Sequence, residues 1–309
     1  MRIRQELAQV RLTRESVLTI GVFDGVHLGH QSLIGLLRGL AQSRGLLSGV
    51  ITFDRHPLEV LAPDDHPTYL TSLEQRLTLL QRQGPDFLLA ISFTPEVAQL
   101  EAGEFLGLLQ EYLKVKGLVV GPDFVMGKGR GGDIDTLRAL GEREGFFVEV
   151  VPPLVFGGKV VSSTAIRHAL AQGDMADAAL LLGRPFTLEG PVVSGASRGR
   201  FLGYPTANLS VDHRHALPPD GVYAARTFVG AESYGAAAYV GRRPTFGETE
   251  RLVEVFLLDF QGDLYGQALR VEFLERLRPD MTFPSAGALQ AQIKKDVARI
   301  RAILEETRG

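Results

Sequence analysis

Apolar spacing has two textures along the chain, and they change near residue 185. In the first half, short continuous apolar runs alternate with stretches whose apolar residues recur every three or four positions. Ser16–Val22, Ser48–Phe53, Asp86–Phe93, Gly117–Gly121 and Phe146–Val151 read as buried strands. Leu28–Arg44, Ser72–Gln83, Glu104–Lys114 and Ile134–Glu144 read as the helices between them. Ser72 and Gln75 form a capping-box pattern, and Gly84 with Pro85 stops the helix they open. Ala165–Ala171 and Met175–Leu182 read as two short helices, the second ended by Gly183 and Pro185. Strands separated by helices of this length imply a parallel sheet covered on both faces. Such sheets bind ligands beyond the carboxyl ends of their strands.

From Thr187 onward the runs are short, β-like and punctuated by Gly and Pro. Leu188–Ser194, Val222–Val229, Tyr234–Val240, Val253–Phe260 and Gln267–Phe273 predict an antiparallel barrel or sandwich. Leu289, Ile293, Val297, Ile300 and Leu304 fall on one face of a long terminal helix. The expected organisation is a Rossmann-like parallel-sheet domain over residues 1–183, then a small antiparallel β domain with a C-terminal helix over 184–309.

Composition narrows the chemistry. The net charge of −3 argues against a general nucleic-acid or anionic-membrane binder. The absence of cysteine excludes disulfides, thiolate nucleophiles and cysteine-held metals. The polar start MRIRQELAQV carries no signal-peptide core, and no apolar run is long enough to cross a membrane. A cytoplasmic protein, a monomer or weak homo-oligomer, is expected.

The strongest local signal in the first half is Gly21-Val-Phe-Asp-Gly-Val-His-Leu-Gly-His-Gln31, where a strand ends, glycines permit a tight turn and a helix begins. Unpartnered N–H groups at a helix start favour an anion. His27 and His30 share one helical face, and Gly29 between them would let a phosphate approach the backbone. Surface or capping histidines are the plainer alternative, and a zinc site lacks a third ligand. Farther on, Gly121–Asp133 follows a strand and combines five glycines with Lys128 and Arg130, as a flexible phosphate- or flavin-wrapping loop would, or a plain surface loop.

The string Phe23-Asp-Gly-Val-His-Leu-Gly-His-Gln31 resembles the His-x-Gly-His signature of nucleotidyltransferases, in particular the bacterial FAD synthetase branch. The resemblance continues through Thr52-Phe53, Val120–Asp133 and Ser162-Ser-Thr-Ala-Ile-Arg167. It implies that His27 and His30 are catalytic and hold ATP phosphates. Gly21, Phe23, Asp24, Gly29, Ser163, Thr164 and Arg167 would complete the ATP site, and Asp123, Phe124, Gly127 and Lys128 would seat FMN. FMN would attack the α-phosphate of ATP to give FAD and pyrophosphate, with Mg2+ neutralising charge. The chain departs from the family pattern at Val22, Arg55, Met126 and Ala165.

In the second half, Gly203-Tyr-Pro-Thr-Ala-Asn208 places a hydroxyl and an amide on one face of extended chain, a pairing suited to magnesium or to a simple turn. It resembles the riboflavin kinase signature. Gly221-Val-Tyr223, Gly241–Phe246, Val253–Phe260, Asp263-Leu-Tyr-Gly266, and Gln292 with Asp296 match that family in order. The resemblance implies a six-stranded antiparallel barrel. Thr206 and Asn208 would meet the metal, and Gly203, Tyr204, Pro205, Gly221 and Tyr223 would contact ATP or flavin. Glu254 would be the base that deprotonates the riboflavin 5′-hydroxyl as it attacks the γ-phosphate. Tyr239 stands where that family often has Asn. A bifunctional enzyme making FMN and then FAD follows. Three alternatives are a catalytically weak first domain, a transferase for another phosphate acceptor, and a non-enzymatic flavin carrier.

Overall fold

A computed structural model describes residues 2–64, 67–194, 204–244 and 249–306. Two compact units divide the chain, Met1–Ser163 and Thr164–Gly309. The first unit opens with α1 (Arg2–Leu7), β1 (Ser16–Ile20), α2 (Leu28–Arg44), β2 (Leu47–Phe53), α3 (Leu58–Leu61), α4 (Leu73–Arg82) and β3 (Phe87–Ile91). It continues with α5 (Pro95–Ala98), α6 (Ala102–Leu113), β4 (Val115–Val120), α7 (Ile134–Glu144), β5 (Phe147–Val150) and a hairpin of β6 (Val155–Phe156) and β7 (Lys159–Val160).

Strands β1 to β5 form the parallel sheet that the spacing predicts, in the order β3-β2-β1-β4-β5. Every residue of central β1 is buried, the small polar Ser16 and Thr19 along with Val17, Leu18 and Ile20, as befits a strand covered on both faces. Alternation assigns its side chains to two cores. Val17 packs with Ile34, Leu37 and Ala41 of α2 and Leu80 of α4. Leu18 and Ile20 face the opposite side, with Ile3 and Leu7 of α1 and Leu109 of α6. The capping box is present: Ser72 accepts from Gln75 N–H, and the Gln75 side chain accepts from Ser72 N–H. Strand order reverses between β1 and β4, which opens a crevice at their carboxyl ends.

Helix α8 (Ser163–Gln172) spans the division, and α9 (Met175–Leu182) follows. Sequence texture groups α9 with the first domain, yet it packs against β8 (Phe186–Val193) and β13 (Ala268–Pro279). Between those strands lie β9 (Ala207–Leu209), β10 (Gly221–Val229), β11 (Glu232–Pro244) and β12 (Thr249–Leu257). The six close into a barrel in the order β10-β11-β12-β9-β8-β13, all pairs antiparallel. Small residues Ala236 and Ala238 alternate inward with Tyr223 and Phe273, all fully buried. Outward-facing Ala224, Ala237 and Phe256 pack under the terminal helix, Ala286–Glu306, against Val297, Ile300 and Leu304.

Candidate active sites

The turn after β1 builds the first site. Phe23 and Val26 adopt positive φ, and the turn is fastened from below: Thr52 Oγ1 donates to the Val22 carbonyl at 3.0 Å. Buried Asp24 accepts from Leu70 N–H at 3.0 Å and from both the N–H and hydroxyl of Thr71 at 3.2 Å. Those bonds make Asp24 a brace for the turn. His27 caps α2, its Nδ1 accepting from His30 N–H at 3.3 Å. An imidazole that accepts at Nδ1 and is neutral carries its proton on Nε2. The two rings stack with centroids 3.6 Å apart, and Phe23 meets His30 edge-on at 5.1 Å. Burial, with His27 beside it, holds His30 well below the ordinary histidine value. His30 is therefore neutral near neutral pH, and its buried Nδ1 has no hydrogen-bond partner among the described residues.

Gly29 also has a packing reason to lack a side chain. A Cβ there would meet His27 Nδ1 at 3.1 Å and the Val161 carbonyl at 3.2 Å, so the missing side chain seats the His27 ring. Ser163 comes to the same turn, its hydroxyl donating to the Asp24 carbonyl at 2.9 Å. Thr164, exposed, and Arg167, half-buried, follow on α8 in the second unit.

The segment after β4 is a docked hairpin. Phe124 N–H closes a turn onto the Gly121 carbonyl, Met126 and Gly132 exchange backbone bonds at 3.0 and 2.9 Å, and Lys128 N–H donates to the Leu100 carbonyl at 2.8 Å. Gly127 has φ 75° and lies so close to Ala102 that a Cβ would sit 2.6 Å from its backbone nitrogen. Phe124 and Met126 pack on the core, while Asp123, Lys128 and Arg130 stay exposed. Sequence reading missed Arg76 altogether. It is 1% exposed on α4 and donates to the Phe53 carbonyl at 2.5 Å, close to Asp24 and Asp54.

The second site lies on the outer face of the barrel. Pairing places Val222, Tyr239, Glu254 and Asn208 on one rung across β10, β11, β12 and β9. Thr206 Oγ1 lies 3.4 Å from the Glu254 carboxylate. Two cavities meet here. One, of about 490 Å³, is lined by Pro205, Thr206, Ala207, Phe260 and Leu264. The other, of about 330 Å³, is lined by Tyr204, Thr206, Tyr239, Glu254, Phe256 and, on the terminal helix, Ile293. Thr206 is common to both. Arg278 and Asp296 form a nearly buried ion pair at 2.9 Å in the wall of the second cavity, and Gln292 donates to Asp296 at 2.8 Å.

Residues 9–165 match the FAD synthetase family and residues 182–304 the riboflavin kinase family. The bifunctional riboflavin kinase/FMN adenylyltransferase of Escherichia coli K12 is 40% identical over 91% of this chain and 90% of its own. Those of Pseudomonas fluorescens and Bacillus subtilis are 40% and 37% identical, with at least 90% of each chain covered. The chain belongs to the bifunctional riboflavin kinase/FMN adenylyltransferase family. A solved structure described as a macrolide-efflux protein from Streptococcus pneumoniae is also similar, at 33% identity and a TM-score of 0.87, covering 96% of this chain and 97% of that one. Among the described residues no helix is long and apolar enough to cross a membrane.

Within the family's expected kinase residues, Tyr204, Pro205, Thr206, Asn208 and Glu254 gather around the paired cavities or their shared rung. Tyr223 does not join them. It is fully buried inside the barrel, donates to the Pro219 carbonyl at 2.5 Å, and burial pushes its phenol up to about 12. Strand alternation turns its neighbour Val222 toward the cavity instead. Gly221 serves close approach, since a Cβ would sit 2.4 Å from the Arg278 carbonyl. Gly203 lies outside the described residues.

Proposed function

We propose that the enzyme runs its two reactions at these two sites, FMN adenylylation in the domain of residues 1–183 and riboflavin phosphorylation in that of 184–309. The observation that carries the kinase assignment is the meeting of two cavities at Thr206, with Glu254 beside it. The cavity lined by Tyr204, Phe256 and Ile293 suits a flat isoalloxazine ring, and its neighbour suits ATP. Glu254 accepts the 5′-hydroxyl proton as that oxygen attacks the γ-phosphorus, and ADP leaves. Thr206 and Asn208 offer neutral hard oxygens next to that carboxylate, a donor set that fits Mg2+. The described residues hold no cluster of three or more acidic or imidazole ligands, which suits an ion that arrives with the nucleotide. Bound there, magnesium would neutralise charge on the transferring phosphate.

At the first site an FMN phosphate oxygen attacks the α-phosphorus of ATP and pyrophosphate leaves. The FMN phosphate is already ionised near neutral pH, so no base is required. His27 and His30 donate hydrogen bonds to the polyphosphate, and the amide groups at the start of α2 add to the field. Exposed Lys128 and Asp123, on the segment that follows β4, are the candidates for seating FMN. A cysteine-free chain of net charge −3 supports a cytoplasmic setting and small-molecule substrates, and nothing in the charge balance calls for a nucleic-acid partner.

Product analysis from riboflavin, ATP and magnesium tests the reading. Glu254→Gln should block FMN formation yet leave FAD formation from supplied FMN, and His30→Ala should do the reverse. Loss of both steps in either folded variant would overturn the two-site assignment.

A further inference from the structure

We propose that Thr71 is a positioning residue for adenylyl transfer: its hydroxyl pins the strained turn before α2 in the shape that seats His27 and His30. The proposal rests on the placement of FMN adenylylation at this turn. Thr71 lies between α3 and α4 and belongs to no motif of the phosphate site. Packing alone brings it to Gly25, 46 residues earlier in the chain.

The turn is a conformation that needs holding. Phe23, Gly25 and Val26 have φ of 53°, 81° and 41°. For a β-branched residue such as Val26 a positive φ is costly, and it persists only where the surroundings dictate it. Four carbonyls of the turn are already engaged within the protein. Val22 accepts from Thr52 Oγ1 at 3.0 Å, Phe23 from Val26 N–H at 3.0 Å, Asp24 from Ser163 Oγ at 2.9 Å, and Val26 from Gln31 Nε2 at 2.9 Å. Thr71 holds the middle. Its Oγ1 donates to Asp24 Oδ1 at 3.2 Å and accepts from Gly25 N–H at 3.1 Å. Its own N–H donates to the same carboxylate at 3.2 Å. Asp24 and Thr71 are 3% and 5% exposed, so water is poorly placed to replace these bonds. One hydroxyl therefore ties a side chain and the next backbone N–H together, just ahead of strained Val26 and of His27.

Groups that meet charge developing on the leaving pyrophosphate act on kcat more than on KM. Thr71→Val keeps the shape and removes the hydroxyl. Its kcat for FAD formation from FMN, counted per folded molecule by calorimetry of the same sample, should fall about tenfold, with the KM for ATP within about twofold of the parent. Thr71→Ser keeps the hydroxyl and should stay within about threefold of the parent. Asp24→Asn tests the same tie from its other end and should show the same split of kcat from KM. Riboflavin phosphorylation should be unchanged in all three. A Thr71→Val kcat within about twofold of the parent, or a Thr71→Ser variant as slow as Thr71→Val, would overturn the role given to Thr71. His30→Ala separates this from the underlying reading. If His30→Ala forms FAD normally, the placement of adenylylation at this turn is itself wrong. If it abolishes FAD formation while Thr71→Val is silent, only the positioning role is refuted.

Discussion

Replacing Asp296 by Ala should destabilise the barrel unit more than any surface change. Arg278 and Asp296 are 13% and 8% exposed, their nitrogen and oxygen atoms are 2.9 Å apart, and Gln292 completes the acid's partners. Removing the acid leaves a guanidinium charge with little water and no counter-ion. Breaking such a pair costs about 3 kcal/mol, at the low end of the usual range because Arg278 keeps a solvent edge. For a unit of this size that lowers Tm by roughly 6–12 °C. Differential scanning calorimetry of the full chain measures it. Arg278→Met combined with Asp296→Leu removes both charges and should recover most of the loss, since a buried pair against apolar residues of similar volume is close to neutral. A Tm for Asp296→Ala within about 2 °C of the parent would refute the reasoning. So would a double variant that falls as far as the single one.

Gly29→Ala should leave stability nearly unchanged, because a helix-propensity gain of about 1 kcal/mol is opposed by tight contacts to His27 and Val161. FAD formation from FMN should nevertheless drop about tenfold as the His27 ring is displaced, with kinase activity intact. Product assays on the one variant check both halves of that expectation. His30 predicts acid sensitivity: its folded-state value is depressed, so the unfolded chain binds a proton first as pH falls below about 6.5. Stability from this group is present above that pH and fades below it. Urea unfolding between about pH 7.5 and 5.5 should show a shallower slope for His30→Gln than for the parent. Arg76→Met should loosen the β2 end at Phe53 and raise KM for FAD synthesis while sparing riboflavin phosphorylation, a split read from separate kinetics of the two steps.

Much of the architecture was legible because it rests on short-range rules. The capping box at Ser72, the short β-prone run of β1 and the spaced stripe on the terminal helix each have a local cause, and each element is present. Other features were hidden for physical reasons. Strand β9 is three residues long, too short for alternation to show. The hairpin after β4 reads as a flexible glycine loop, because only tertiary packing reveals that Gly127 is needed against Ala102. The stripe on the terminal helix looks uniform, yet Ile300 and Leu304 cover a core, Leu289 and Ile293 line a cavity, and Val297 does both.

By itself the sequence determined the two layers of periodicity, the helix starts and stops, and the residue types able to handle phosphate. These follow from backbone geometry and side-chain chemistry within a few residues of each position. Only the tertiary structure decided which of those groups meet. Asn208, Glu254 and Tyr239 share a rung because antiparallel register brings β9 against the later β11–β12 pair, and Tyr223 is sent inward by strand alternation. Register is set by the whole barrel's closure, a property that no local stretch of chain contains.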